Sequence, residues 1–578
     1  MKLRYKILFV AIALIGLSSC KDFLEKVPDT RVYLVNLDQL EQLLITGYTQ
    51  HNYAVIGELS SDNCDDTNSP DKDGNRYNYS AYNRYDEQIF SWQDVDLDIS
   101  DSDTPSGLWE SCYSAIAVAN AVIEKADEFE QTGEIEGQPM TVRDKARLRA
   151  IQGEAHMIRA YHHYILAQLF CMPYRGPEIS KTLPGIPYAS EPETELYPMY
   201  DRGTLQETYD KIEADLLIGL ANVSDEFYDV PKYHFNVASS NSFAARFYLA
   251  KREYDKVVKY ATAAFKGNDP ATMRNDFWDK QEDFIEWEDG ARYYTSIDRP
   301  GNFMLFDTYT TWFRRWGCRF FSNRDGYHAS ISGPGPSWSG DYMPFFRNSV
   351  LGSPVYPEYG FFFYGTYWEQ FEYTDKLAGI GYPHMVRPEF TSQETLLFRA
   401  EAYLFLGDID AAFADLYEWN HEHIMQGSMA SSNGTMSELE KDRIVSFYSY
   451  YDNPKRRDPG YGIVKKFHID EVCPSDKYHL TNEIEPYLNC VQHFRRMQNA
   501  HLGQRWFDIK RYGFSITHKM GKDNVYTLEV LDPRYAIQIP AEVIGAGLTP
   551  NPRKAMPETQ QNGFVVVGKQ GNNNGGKN

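Results

Sequence analysis

The sequence predicts a mainly α-helical chain of tetratricopeptide-like helix pairs, interrupted by one loop-rich, aromatic-rich module. Three observations predict it. Apolar residues recur at steps of three and four over long stretches. Two segments 155 residues apart share a helix–break–helix pattern, with small residues (Ala261, Ala264; Ala411, Ala412) where helices must approach closely. Between them, Tyr293 to Tyr373 holds 25 aromatics in 81 residues and is cut repeatedly by Gly and Pro, which blocks long helices.

The amino terminus reads as an export signal. Lys2, Arg4 and Lys6 precede the apolar run Ile7 to Leu17, and Leu17-Ser18-Ser19-Cys20 follows. A Cys directly after Leu-Ser-Ser looks like a bacterial lipoprotein box, in which the Cys20 thiol takes a diacylglycerol. Several acyl chains at about 0.8 kcal/mol per buried methylene anchor a folded body durably. The run is too short to cross a ~30 Å hydrocarbon layer, which takes about 20 residues. Of the other cysteines (Cys64, Cys112, Cys171, Cys318, Cys473 and Cys490), none forms a CxxC pair, so a structural zinc site has little support. Their even number outside the cytoplasm allows disulfides without demanding them.

Helical faces follow. Trp109, Tyr113, Ile116 and Asn120 share one face. Leu148, Ile151, Ala155, Ile158, His162, Ile165 and Leu169 share another, which ends before Met172-Pro173. Leu205, Tyr209, Ile212, Leu216 and Leu220 form a third, with Thr204 and Glu207 as a capping box. Ala245, Tyr248, Leu249 and Asp255 recur as Ala400, Tyr403, Leu404 and Asp410. Trp109 and Trp506 are assigned to the core. The expected organisation is a signal peptide over 1–19 and a single body over 20–567. Within that body the helical scaffold covers 30–60, 105–270 and 390–425, a ligand module about 290–380, and a carboxy-terminal region 490–564. A disordered Gly- and Asn-rich tail occupies 568–578.

Composition excludes some functions. The 578 residues carry 81 acids against 58 Lys plus Arg, a formal charge of -23, so general binding to nucleic acid is not expected. A 42% hydrophobic content supports a large packed core. No GxSxG, HExxH or GxxxxGK[ST] motif is present, and no carboxylate pair stands out for glycoside hydrolysis.

Several segments together resemble the SusD/RagB family of Bacteroidetes outer-membrane nutrient-binding lipoproteins. They are Cys20-Lys21-Asp22-Phe23-Leu24, the Trp109–Asn120 face, Glu154-Ala155 through Arg159-Ala160-Tyr161, and Pro173 with Gly185-Ile186-Pro187. Arg202 to Leu216 and Glu394 to Gly407 add to them. The most specific are Gly503-Gln504-Arg505-Trp506-Phe507-Asp508-Ile509-Lys510-Arg511-Tyr512-Gly513 and Gln538-Ile539-Pro540-Ala541-Glu542. The chain departs from the family pattern at Gln498 and Leu502, and in Gln561-Asn562-Gly563-Phe564 near its end. The resemblance implies a right-handed superhelix of tetratricopeptide-like pairs with a loop-rich remainder packed on it. It also implies a cell-surface lipoprotein, held in the outer membrane by lipid on Cys20, that binds without catalysis. Such a protein captures oligosaccharide and delivers it to a SusC-like TonB-dependent transporter. A RagB-like peptide-binding role is the alternative, with a surface glycoside hydrolase behind it.

Sugar rings present apolar C–H faces and hydroxyl rims, so a site needs exposed flat rings beside carboxylates, amides or guanidinium groups. Two segments combine these types. The first supplies Tyr82, Asn83, Arg84 and Trp92; the second supplies Trp312, Arg315 and Trp316, with Tyr364 and Trp368. The competing reading is that most of these rings pack the interior. From Arg292 to Asp325 there are six Arg and no Lys. Either they read an acidic ligand, or they bury their stems and pair with nearby acids; the second is preferred. The oxygen-rich stretch Asp62, Asn63, Asp65, Asp66, Asn68, Asp71, Asp73, Asn75 offers a calcium shell, with Asp71 and Asp73 foremost. With Gly74 as the turn glycine, the required Glu falls at Ser80, so a solvated acidic loop is preferred and no cofactor is expected.

Overall fold

The computed structural model describes residues 34–67, 84–95, 102–193, 200–273, 287–315, 318–322, 334–339, 349–351, 362–364, 368–423, 435–451, 463–521 and 524–553. The expected signal peptide, Cys20, Asp71, Asp73 and the tail lie outside them.

Helices dominate. After α1 (Leu37–Ile45), α2 (Ala54–Ser60) and α3 (Arg84–Phe90) come two long helices, α4 (Pro105–Thr132) and α5 (Val142–Phe170). Helix α4 starts where Thr104 accepts the Gly107 amide and Pro105 takes the first position, and it stops at Gly133 with φ +70°. A Thr141/Asp144 capping box opens α5, which ends at Phe170 just before the proline that forbids its continuation. Helix α6 (Leu205–Asn222) opens with the expected Thr204/Glu207 box and packs along α5. Close approach is enforced there by glycine: a Cβ on Gly153 would stand 2.6 Å from the Val223 nitrogen.

The repeated pattern becomes two stacked hairpins. Helices α7 (Val237–Lys251) and α8 (Tyr254–Ala264) turn at Arg252, and α10 (Ser392–Leu406) and α11 (Ile409–His423) turn at Gly407, both in the left-handed region. Helix α9 (Trp287–Tyr294) precedes the inserted module. Helices α12 (Lys441–Tyr451), α13 (Glu485–Gln498) and α14 (Arg505–Tyr512) close the body. The fold is therefore the tetratricopeptide-like helical one, and its apolar core runs continuously from Leu37 to Leu548. No helix among the described residues is long and apolar enough to cross a membrane. The six cysteines beyond Cys20 are free thiols.

Where the sequence predicts loops, the module holds an antiparallel sheet. Strands β1 (Asn302–Tyr309), β2 (Gln370–Asp375) and β3 (Ile380–Thr391) lie in the order β1-β3-β2, with His384 opposite Tyr309 and Tyr382 opposite Glu372. Among the described residues of the module, Gly and Pro leave extended strands intact. Pro388 pairs with Leu305 and Phe390 with Met304, so Glu389 is the extra residue of a bulge. A second hairpin, β4 (Ile516–Met520) and β5 (Asn524–Leu528), lies near the carboxy terminus.

That bulge turns Glu389 into the interior. Arg246 of α7 reaches its Oε1 at 2.5 Å and Arg387 its Oε2 at 2.8 Å. The Tyr53 hydroxyl donates to Glu389 at 3.0 Å. Arg246 also pairs with Glu394 of α10 at 2.6 Å and lies over the Phe390 ring. The motif Gly503–Gly513 extends the network. Arg505 grips Asp62 through two bonds of 2.8 and 3.1 Å, and Lys465 adds a second cation at 2.8 Å. Asp508 accepts from Arg495 and Arg511, and Arg511 forks onto Glu401 of α10. Burial opposes the charge on Asp62, but Arg496, Arg505 and Lys465 hold its carboxyl well below the usual range.

Glu58 is the poorly compensated member. It accepts only the Gly503 amide and the Asn63 side-chain amide, each at 3.0 Å, and burial pushes its carboxyl up to about 7.

Breaking a buried pair strands a charge. Arg246→Ala should cost about 3–5 kcal/mol in unfolding measurements, whereas Arg292→Ala, at an exposed pair, should cost under ~1 kcal/mol. Equal losses would remove the special weight given to the network. Glu58 supplies a pH test. Its folded-state affinity for the proton is raised, so its contribution is complete below about 4.5 and disappears as pH climbs to about 7. Wild type should therefore lose stability over that window relative to Glu58→Gln, and parallel curves would contradict it.

Candidate ligand-binding face

The sheet that carries Glu389 inward also carries side chains outward. Its far end is a hairpin. Phe371, Tyr373 and Asp375 alternate with Glu372 and Thr374, and the turn closes where Asp375 Oδ1 accepts the Leu377 and Ala378 amides at 2.9 and 3.0 Å. Gly379 takes φ +66° just before Ile380.

Register then decides which residues meet. On one face lie Gln370, Glu372, Tyr382, His384, Tyr309 and Asp307, since directly opposed residues share a side. The Tyr309 and Tyr382 rings stand 5.4 Å apart at 48°. Tyr309 donates to Glu372 Oε2 at 3.3 Å, and His384 Nδ1 lies 2.6 Å from Asp307 Oδ1. Burial, then the Glu372 and Asp307 charges, raise the Tyr309 hydroxyl above its ordinary value, so it remains a donor. Tyr382 is 55% and Tyr373 51% exposed, and Leu377 projects freely at the tip.

Just before β2, Phe313 packs on Trp368 at 4.6 Å. Arg314 holds Glu369 through two bonds of 2.7 Å and lies over Phe371. The turn Trp312–Arg315 bends the chain there, directing Phe313 and Arg314 outward and Trp312 and Arg315 inward.

Three of the sequence-predicted site residues are thereby corrected. Trp312 is wholly buried against Phe321 and His501, at 5.0 and 5.1 Å, so no ligand can stack on it. Arg315 is 1% exposed and pairs with Asp86 at 2.5 Å, an acid that α3 carries into the interior. Trp92 is buried, stacks on His518 at 4.2 Å and donates its indole N–H to Ser60 O at 2.9 Å. The common cause is amphipathic chemistry: in the interior, large rings gain from burial and an Arg can be matched to an acid. Among the described named aromatics, Trp368 is the one that is only partly buried, packed on Phe313. Arg84 opens α3 and Tyr364 lies on the short strand Phe362–Tyr364; their side chains are outside the description, as are Tyr82, Asn83 and Trp316.

Sequence reasoning missed Tyr309, Glu372, Tyr382 and His384. The alternation of Phe371 to Asp375, mirrored after Gly379, was the available signal. Of the oxygen-rich stretch, Asp62 and Asp66 are already taken by Arg505 and Arg319. No group of three or more His, Cys, Asp or Glu placed to hold a metal occurs among the described residues. Trp109 and Trp506 are core, as expected, although Trp109 also floors a separate pocket of about 230 Å³ with Tyr113 and Tyr200.

The comparisons follow this geometry. Residues 22–249 match the family model SusD-like_3, described as "Starch-binding associating with outer membrane". A SusD superfamily protein from Bacteroides thetaiotaomicron VPI-5482 is 17% identical, with a TM-score of 0.56 over 90% of this chain and 100% of that one. One from Bacteroides fragilis is 13% identical with a TM-score of 0.55, over 89% and 99%. A candidate sugar binding protein from Bacteroides vulgatus ATCC 8482 is 16% identical with a TM-score of 0.52, over 90% and 99%. At these identities the structures speak for the fold alone. No curated protein matches the sequence.

Two variants separate packing from surface. Trp312→Ala should destabilise by about 3–5 kcal/mol, the cost of emptying a buried indole site. Tyr382→Ala should shift stability by no more than ~0.5 kcal/mol. Thermal unfolding of both checks the assignment, and a stable Trp312→Ala protein would refute it.

Proposed function

We propose that this chain, whose residues 22–249 match a SusD-like family model described as associating with the outer membrane, is a SusD/RagB-like carbohydrate-binding protein that captures an oligosaccharide at the cell surface and passes it to a SusC-like TonB-dependent transporter. The observation that carries this reading is the exposed Tyr309–Tyr382 face with Glu372, Asp307 and Gln370 around it. Two rings about 5 Å apart and inclined to each other offer apolar surfaces to the C–H faces of a sugar chain. The carboxylates and the amide accept or donate at the hydroxyl rim. Trp368, packed on Phe313 just before β2, stays in the proposal with Trp316 and Tyr364, and with Tyr82, Asn83 and Arg84 of the earlier segment.

Binding needs no covalent step here, and the protein acts as a receptor rather than an enzyme. Support for its location is the lipoprotein box at Cys20, which tethers the body to outer-membrane lipid. Capture at the surface then precedes transfer to the barrel below.

The test is binding of the mature chain, lacking Cys20, to a panel of glycans and peptides. A glycan should bind, and Tyr309→Ala or Tyr382→Ala should weaken it about tenfold each, the effect of losing ~1.5 kcal/mol of ring contact. Peptide binding with no glycan binding would replace the ligand. Turnover of any polysaccharide by the pure protein would replace the receptor reading with a hydrolase. In cells, Cys20→Ala should move the protein out of the membrane fraction; retention there would refute the tether.

A further inference from the structure

We infer that the Tyr309–Tyr382 face is electrostatically selective: it admits uncharged or amino-bearing sugars and repels uronate and sulfate groups. This rests on the glycan-binding role proposed above and adds the charge class of the ligand.

The inference comes from how the arginines of the module are used. Their concentration after Arg292, in a strongly acidic chain, is the feature that would otherwise point to an acidic ligand. In the fold each described guanidinium is committed. Arg299 is 2% exposed, donates to Tyr294 O at 2.6 Å and lies over that residue's ring. Arg315 pairs with Asp86 inside the core. Arg319 forks onto the buried carboxylate of Asp66 with two bonds of 3.0 Å. Arg314, over the Phe371 ring of β2, already holds both oxygens of Glu369. Arg292 pairs with Glu288 and Asp289 on its own helix. A sulfate or carboxylate on a sugar would have to displace one of these partners, and at every arginine but Arg299 the displaced acid would remain beside it.

The face itself has the opposite sign. Glu372 and Asp307 project from it, and Asp375 stands at the hairpin turn. Among the described residues of the face and its hairpin, the cationic groups are Lys376 in the turn and, when protonated, His384 beside Asp307. Carboxylates accept two hydroxyl hydrogens at once, so vicinal diols suit them. An ammonium group suits them better, and an anion is repelled.

The measurement is a glycan array and titration series with the mature chain, using matched sets: neutral hexasaccharides, their C6-oxidised uronate forms, their sulfated forms and glucosamine oligomers. Anionic forms should bind at least about tenfold more weakly than the neutral parent, and the gap should shrink as salt screens the carboxylates. Glucosamine oligomers should bind at least as tightly as neutral ones at low salt. The folded Asp307→Asn/Glu372→Gln double variant, checked by circular dichroism, should close the gap between neutral and anionic forms. Equal or tighter binding of uronate or sulfated forms overturns the charge inference while leaving the glycan-binding role standing. A gap that persists unchanged in the double variant also overturns it, because the selectivity then comes from elsewhere. Failure of every glycan to bind overturns the role itself.

Discussion

Glu389 enters the interior of the molecule as a carboxylate, and its neutralisation joins the sheet to the helices. Its bulge lies at the end of β3 nearest α10, where the pairing with β1 slips by one residue. Arg246 comes from α7, Arg387 from the strand itself and Tyr53 from the edge of α2. Arg246 also reaches Glu394 at the start of α10. A charge buried this deeply is tolerable only with such geometry, because desolvation opposes it at every contact. The requirement therefore couples two helical hairpins and one strand to a single register.

The carboxy-terminal motif applies the same constraint elsewhere. Arg505, Asp508 and Arg511 sit on one short helix and reach Asp62, Arg495 and Glu401. Lys510 turns the other way and donates to Cys171 O at 2.7 Å at the end of α5; burial pushes that ammonium down to about 7. The motif thus clamps the amino-terminal loop, the long helix and the second hairpin at one point. Gly503 allows this, with φ +78° and the Tyr53 carbonyl 2.7 Å from where its Cβ would be.

The proposed face is kept apart from this clamp by the pleat of the sheet. Side chains of β3 near Glu389 point into the network, whereas those near Tyr382 emerge at the open end beside β2. The buried network thereby backs a polar, aromatic surface. The described arginines after Arg292 divide in the same way: Arg314, Arg315 and Arg319 are partners of interior or neighbouring acids, Arg299 of a carbonyl, and the face is left acidic.

Much of the helical body was legible in the sequence. Periodicity places α4, α5 and α6, and capping residues such as Thr204 with Glu207 place their ends, because backbone amides at a helix start need local acceptors. The repeat of Ala245 to Asp255 at Ala400 to Asp410 marks the two stacked hairpins. The binding face was not legible in the same way. An exposed ring and a buried ring have the same letter: a tight turn directs Trp312 inward, whereas Trp368, just before β2, is left partly exposed. The sequence by itself determined the helices, their caps and the family likeness, since these depend on neighbours within a few residues. Only the tertiary structure decided which aromatics reach solvent and which arginines are already paired. Burial and ion pairing join residues such as Arg315 and Asp86, which lie more than two hundred positions apart and meet only after the chain has folded.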